Sequence, residues 1–121
     1  QALRGDPITV YGDGEQSRSF CHVLDVVDAL VKIMACDKAL GKVVNIGNPE
    51  EVSMNELAKR VKTMTGSAST IRMVPYEEAY TGGFEDMRRR VPDITRAGEL
   101  IGFHPTRDLT SILNDVVESC R

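Results

Sequence analysis

The stretch "VYGDGEQSRSF" (residues 10–20) decides how the rest of the chain is read. Gly12 and Gly14 stand one residue apart, in the style of a phosphate loop. A dinucleotide loop needs G-x-G-x-x-G between a buried strand and a helix. Here position 17 is Ser17, and no helical pattern begins directly after it. A nucleotide P-loop ends in Lys followed by Ser or Thr, and that ending is missing too. The glycines therefore read as a tight turn that uses positive φ. Arg18 is a separate matter. Phe20 and Val23 look core-facing, which places Arg18 at the mouth of a short strand beside the turn. A guanidinium there can grip a phosphate with two parallel donors, or it can pair with Asp13 or Glu15 on the surface. The residues alone leave both open.

Outward from the turn, "ITVYG" (8–12) is a β-branched run that reads as a strand, and "RSFCHV" (18–23) as a second short one. From Asp25 the period changes: Val26, Val27, Leu30, Ile33 and Met34 recur at helical spacing, with Asp25 as the expected cap. "KVVNIGN" (42–48) is an apolar run closed by Gly47, Asn48 and Pro49, expected to be a buried strand. In "SMNELAKRVKTMTG" (53–66), Ser53 and Glu56 have capping-box spacing, and Met54, Leu57, Ala58, Val61 and Met64 form one stripe that ends at Gly66. "STIRMVP" (69–75) reads as a strand, and residues 76–91, with Gly82 and Gly83, as a long polar loop. Residues 92–102 and 108–120 read as two helices, the second burying Leu109, Ile112, Leu113, Val116 and Val117. The order predicts a small single α/β domain of short strands and about four helices, without internal repeats.

The bulk numbers fit that class. A chain of 121 residues supports one domain, 1–121, with a modest core. Hydrophobic residues make up 41% and charged residues 27%, and the net charge of −3 weighs against a nucleic-acid partner. No apolar run approaches the roughly 20 residues of a membrane span, and no signal peptide opens the chain. Cys21, Cys36 and Cys120 are odd in number and widely spaced. They predict passive thiols in a reducing cytoplasm, with neither disulfides nor a metal site. The opening "QALRGDP" lacks an initiator Met and reads as the end of a helix closed by Gly5 and stopped by Pro7. The chain is therefore expected to be cut from something longer.

Candidate chemistry is sparse. Arg88, Arg89 and Arg90 form a charge run, but within 85–96 four arginines face Glu85, Asp86 and Asp93. That balance is wrong for tracking a nucleic-acid backbone. It suits one or two arginines aimed at a small anion, or a solvated face. Asn45, at the end of the expected buried strand, is either a turn former or an amide donor to a ligand. His22 is expected to be packed and His104 to sit in a loop. No nucleophile–base pair and no metal cluster emerges, so no catalytic residue is assigned.

Three blocks in order, "GDPITVYGDGEQSRSFCHVLDVVDAL", "VVNIGNPEEVSMNELAKRV" and "FEDMRRRVPDITRAGELIGFHPT", closely resemble the C-terminal half of extended short-chain dehydrogenases/reductases. These are the NAD-dependent nucleotide-sugar epimerases, dehydratases and decarboxylases. The resemblance spans essentially the whole chain and is nearest to the UDP-glucuronate decarboxylase and UDP-sugar 4-epimerase branch, without separating the two. It implies the substrate-binding lobe of a Rossmann-type enzyme, with a UDP-sugar or similar nucleotide-diphosphate sugar as partner. By that resemblance Ile8, Val10 and Tyr11 line the base, Gln16 and Arg18 contact the ribose and diphosphate, Asn45 offers an amide to a phosphate, and Arg89 or Arg90 closes over the diphosphate. The family's NAD loop and Tyr-x-x-x-Lys pair are absent: none of Tyr11, Tyr76 and Tyr80 has Lys four residues on. NAD is thus expected in the N-terminal half of a parent enzyme and not here, leaving this chain inactive alone. The alternative is a non-catalytic nucleotide-sugar-binding or regulatory module. In the parent fold the helix from Asp25 packs on the Rossmann half, so its apolar face is expected to be exposed here and to invite self-association.

Overall fold

The computed structural model describes residues 1–79 and 86–121, the side chain of Ala79 excepted. Tyr80, Gly82, Gly83 and Glu85 lie outside the described residues. The chain divides into two compact units, 1–18 with 52–90 and 116–121, and 19–51 with 91–115.

In the first unit, β1 (Ile8–Tyr11) runs parallel to β4 (Ile71–Val74), with Ile8 opposite Ile71 and Tyr11 opposite Val74. Parallel neighbours need a crossover. Here the connection passes through α2 (Met54–Thr65), which packs on β1. α2 forms as its sequence directs. The Ser53 hydroxyl accepts the Glu56 amide at 3.1 Å, and Gly66 closes the helix with φ +63°. Glu56 does not close the box reciprocally; its carboxylate takes Arg60 Nε at 3.0 Å. Ile8, Val10 and Ala58 are the buried centre, with Ala2, Met54 and Ile71 packed around them. Burying a Val or Ile side chain contributes about 1.5–3 kcal/mol. A second ribbon has the order β3 (Glu51–Ser53), β2 (Ser17–Ser19), β5 (Arg89–Arg90), with β2 parallel to β5.

Two expectations fail in this unit. The strand at 18–23 ends at Ser19, and the loop at 76–91 holds a helical turn, α3 (Tyr76–Ala79), and β5. The sequence could not show β5 because a ladder depends on its partner, and the partner β2 lies some 70 positions away.

In the second unit, α1 (Val23–Met34) begins two residues before Asp25. Its cap is His22, whose Nδ1 accepts the Leu24 amide at 3.1 Å, while Nε2 donates to Asp115 at 2.9 Å. Asp25 is withdrawn from capping because its carboxylate is spent elsewhere. It accepts the Thr106 and Arg107 amides (3.1 and 3.2 Å), the Thr106 hydroxyl (2.8 Å) and Arg107 Nη1 (2.6 Å). Residues 42–48 form no strand among the described residues. Val44 and Ile46 turn inward and Val43 and Asn45 outward, so the strand-like alternation exists without a ladder. α4 (Thr95–Ile101) ends at Gly102, and its Thr95 amide is capped by Asp93 at 2.9 Å. Ala29, Ala97 and Phe103 make the core. α5 (Leu109–Ser119), whose residues from Val116 on are assigned to the first unit, buries Leu109 but leaves Val116 exposed, against expectation. α1 exposes Val23, Leu24, Val27, Leu30, Val31 and Met34, the last at 88%. No helix among the described residues is long and apolar enough to cross a membrane.

Candidate functional site

The first unit carries an open cleft of about 400 Å³. Its floor is apolar: Ile8 and Val10 from β1, and Leu57, Ala58 and Val61 from α2. Its rim is polar and lies at the carboxyl ends of β1 and β4, where Gly12 opens the turn and Tyr76 follows Pro75. In open α/β sheets that end is where ligands sit, because the loops there are free to converge.

The turn is built around close approaches. Gly12 and Gly14 have φ of +66° and +71°. A Cβ on Gly12 would lie 2.4 Å from Cε2 of Tyr76, and one on Gly14 would lie 2.1 Å from Oδ1 of Asn55. Asn55 in turn donates to the Asp13 carbonyl at 3.0 Å and to Glu15 Oε1 at 2.7 Å. The first amides of α2 complete the anchoring, Met54 to the Gln16 carbonyl at 3.2 Å and Asn55 to that of Gly14 at 3.0 Å. The faces of both glycines are thus covered by protein side chains. These residues do not fit a dinucleotide pyrophosphate, and no step through NAD is assigned to them.

Gln16 is 5% exposed. Its Nε2 donates to the Tyr11 carbonyl at 3.0 Å and to the Tyr76 hydroxyl at 2.9 Å. A carbonyl only accepts, so the amide orientation is fixed, and Oε1 is left buried without a partner among the described residues. The Tyr76 hydroxyl donates onward to Asp86 Oδ2 at 3.0 Å. Burial, then the bond and charge of Asp86, push the Tyr76 pKa up. Asp86 Oδ1 receives Nη2 of Arg18, whose Nη1 donates to the Ser17 and Met87 carbonyls, both at 2.7 Å.

Arg18 therefore pairs with neither Asp13 nor Glu15. Asp13 belongs to Arg88 at 2.6 Å, and that bond, with the Glu15 amide, holds its carboxyl below the usual range. In the parallel register Arg90 stands opposite Arg18, and Arg89 opposite Ser17. Side chains alternate along a strand, so Arg90 shares the face of Arg18 and Arg89 takes the other. Tyr11, at 42% exposure, stands at the rim.

Of the residues singled out from sequence, Ile8, Val10, Tyr11, Gln16 and Arg18 line this cleft, and Arg90 is in register with Arg18. Asn45 belongs to the second unit. It is exposed, donates Nδ2 to the Asp93 carbonyl at 3.3 Å and lines a separate groove with Arg96 and Glu99. Sequence reading missed Tyr76 and Asp86. Their signals were faint: an aromatic just past a strand, and one carboxylate before an arginine run. His22 is packed and bonded, and His104 is exposed at a loop. All three cysteines are free, and burial followed by the Asp25 charge raises the Cys21 thiol pKa.

Residues 1–47 match the model of the NAD dependent epimerase/dehydratase family. Over 117 residues the chain is 39% identical to UDP-N-acetyl-alpha-D-glucosaminuronate decarboxylase of Bacillus cytotoxicus, covering 97% of this chain and 36% of that protein. It is 44% identical to UDP-glucuronic acid decarboxylase 5 of Arabidopsis thaliana over 87% of this chain and 28% of the relative. The fold superposes on UDP-glucose 4-epimerase of Thermotoga maritima, solved with UDP-glucose, at a TM-score of 0.87 and 32% identity, across 99% of this chain and 36% of that one. The chain is thus a relative of the NAD-dependent UDP-sugar epimerases and decarboxylases and matches the C-terminal portion of their Rossmann-type structures. It spans about a third or less of the length of these relatives.

Proposed function

We propose that the first unit's cleft binds the nucleoside diphosphate of a UDP-sugar, and that residues 1–121 are the substrate-binding portion of an NAD-dependent UDP-sugar 4-epimerase or UDP-glucuronate decarboxylase. One observation carries this reading: Arg18 stands at the polar rim of an apolar-floored cleft, with the exposed Arg90 opposite it in the parallel register. Guanidinium forks match phosphate oxygens two by two, and a pair of them offsets a diphosphate's charge. The register, with Arg90 opposite Arg18, supports Arg90 rather than Arg89 as the second cation. Ile8, Val10 and the α2 face give a base an apolar bed, with the Tyr11 ring at its edge. Gln16, which lines the cleft and donates to the Tyr76 hydroxyl at 2.9 Å, forms the wall beside the ribose.

NAD and the residues that move protons and hydride belong to the rest of such an enzyme, so this chain alone turns over no substrate. It works in a reducing cytoplasm, which its three free thiols suit. The uncovered α1 face is the seam left by that division, and in isolation it drives self-association.

The test is a chemical-shift map. Adding UDP shifts the backbone signals of Tyr11, Gln16, Arg18 and Arg90. Shifts confined to other residues overturn the assignment.

A further inference from the structure

The cleft has an anion of its own, the Asp86 carboxylate paired with Arg18. Two backbone carbonyls, those of Ser17 and Met87, fix where the Arg18 guanidinium sits, each at 2.7 Å from Nη1. Asp86 then fills the remaining edge through Nη2, with its second oxygen held by the Tyr76 hydroxyl at 3.0 Å. The side chains of Arg18 and Asp86 are 15% and 23% exposed, so the pair is shielded but open on the cleft side. The positioning of the arginine and its neutralisation thus come from different groups. The carbonyls do the first and Asp86 the second.

We propose that Asp86 is an internal counter-ion seated where a ligand phosphate goes, and that a diphosphate binds by displacing it from Arg18. The proposal rests on reading the cleft as a diphosphate site. A phosphate carries more charge and more acceptor oxygens than one carboxylate, so it wins the guanidinium once it arrives. Asp86 wins while the cleft is empty, and the pair keeps Arg18 from standing uncompensated beside Arg90, its cross-strand neighbour. Affinity is then reduced by the fraction of time Arg18 is released. The same competition disfavours weak, singly charged anions.

The experiment titrates UDP and inorganic pyrophosphate into the wild-type chain, Asp86→Asn, Arg18→Ala and the double variant. Asp86→Asn is expected to bind both probes about tenfold tighter, since it removes the competing charge and leaves the carbonyl seat intact. The double variant shows no such gain. A second measurement needs no variant: the side-chain carboxyl ¹³C signal of Asp86 shifts as pyrophosphate saturates the wild-type chain. Wild-type binding that depends on Arg18 but is unchanged or weakened by Asp86→Asn overturns the counter-ion while sparing the diphosphate reading. No binding by either the wild type or Asp86→Asn overturns the diphosphate reading, and the counter-ion with it.

Discussion

Asp25 and Asp86 are both shielded aspartates facing an arginine, yet they belong to different kinds of place. Asp25, in the second unit, is 4% exposed and takes four hydrogen bonds, two of them from backbone amides. Its acceptor capacity is filled by the fold. Among the described residues, Asp86, in the first unit, is held by two side chains, Arg18 and Tyr76, and it lines the same cleft as Gln16, whose Oε1 has no partner there. A saturated carboxylate holds structure together. A carboxylate held by two side chains can let go when either of them finds another partner.

The largest expected break in this comparison is Asp25→Ala. It strands the Arg107 cation and the Thr106 donors, and costs about 3 kcal/mol in urea unfolding. Asp86→Asn in the same assay stays within about 1 kcal/mol of wild type. Equal losses would erase the contrast. The pH dependence sharpens it. Burial alone would raise the Asp25 pKa, but the bonds from Thr106 and Arg107 outweigh it and hold the carboxyl below its usual range. Its stabilisation is therefore complete at neutral pH, starts to fall as pH drops through about 4, and is gone below the lowered pKa. Asp25→Asn flattens that slope.

Next comes Gly12→Ala. A residue with a side chain at φ +66° is strained, and the new methyl meets the Tyr76 ring, so about 2 kcal/mol is lost and the polar rim shifts. Weakened UDP binding in a still-folded variant locates the effect at the rim. The smallest effect on stability is Leu30→Glu on the open α1 face, within about 0.5 kcal/mol of wild type. It converts the associated chain to monomer by light scattering. A wild-type chain that is monomeric at high concentration removes the self-association reading altogether.

How much of this was legible in the sequence follows physical range. The helix 54–65 was readable because its cap, stripe and closing glycine are all local. The strands 8–11 and 71–74 were readable from β-branched runs. β5 was not, since two arginines become a strand only beside Ser17 and Arg18. The run 42–48 has a strand's composition, but no partner strand pairs with it among the described residues, and composition cannot report that. Asp25 looked like a cap because the bonds that claim it come from residues 106 and 107. In the cleft, Arg18 stood out as a cation beside a turn, and Gln16 entered through the family resemblance. Tyr76 and Asp86 did not, because their meaning is the hydrogen-bond chain they close from 60 to 70 positions away. The glycines were read rightly as turn formers, but their second role, making room for Tyr76 and Asn55, needed coordinates.

The most direct test of the central claim is calorimetric titration of UDP into the wild-type chain and Arg18→Ala. The account predicts saturable binding by the wild type and an affinity at least tenfold lower in the variant, since a two-pronged charged contact is lost. Equal affinities, or binding seen in neither chain, would contradict it.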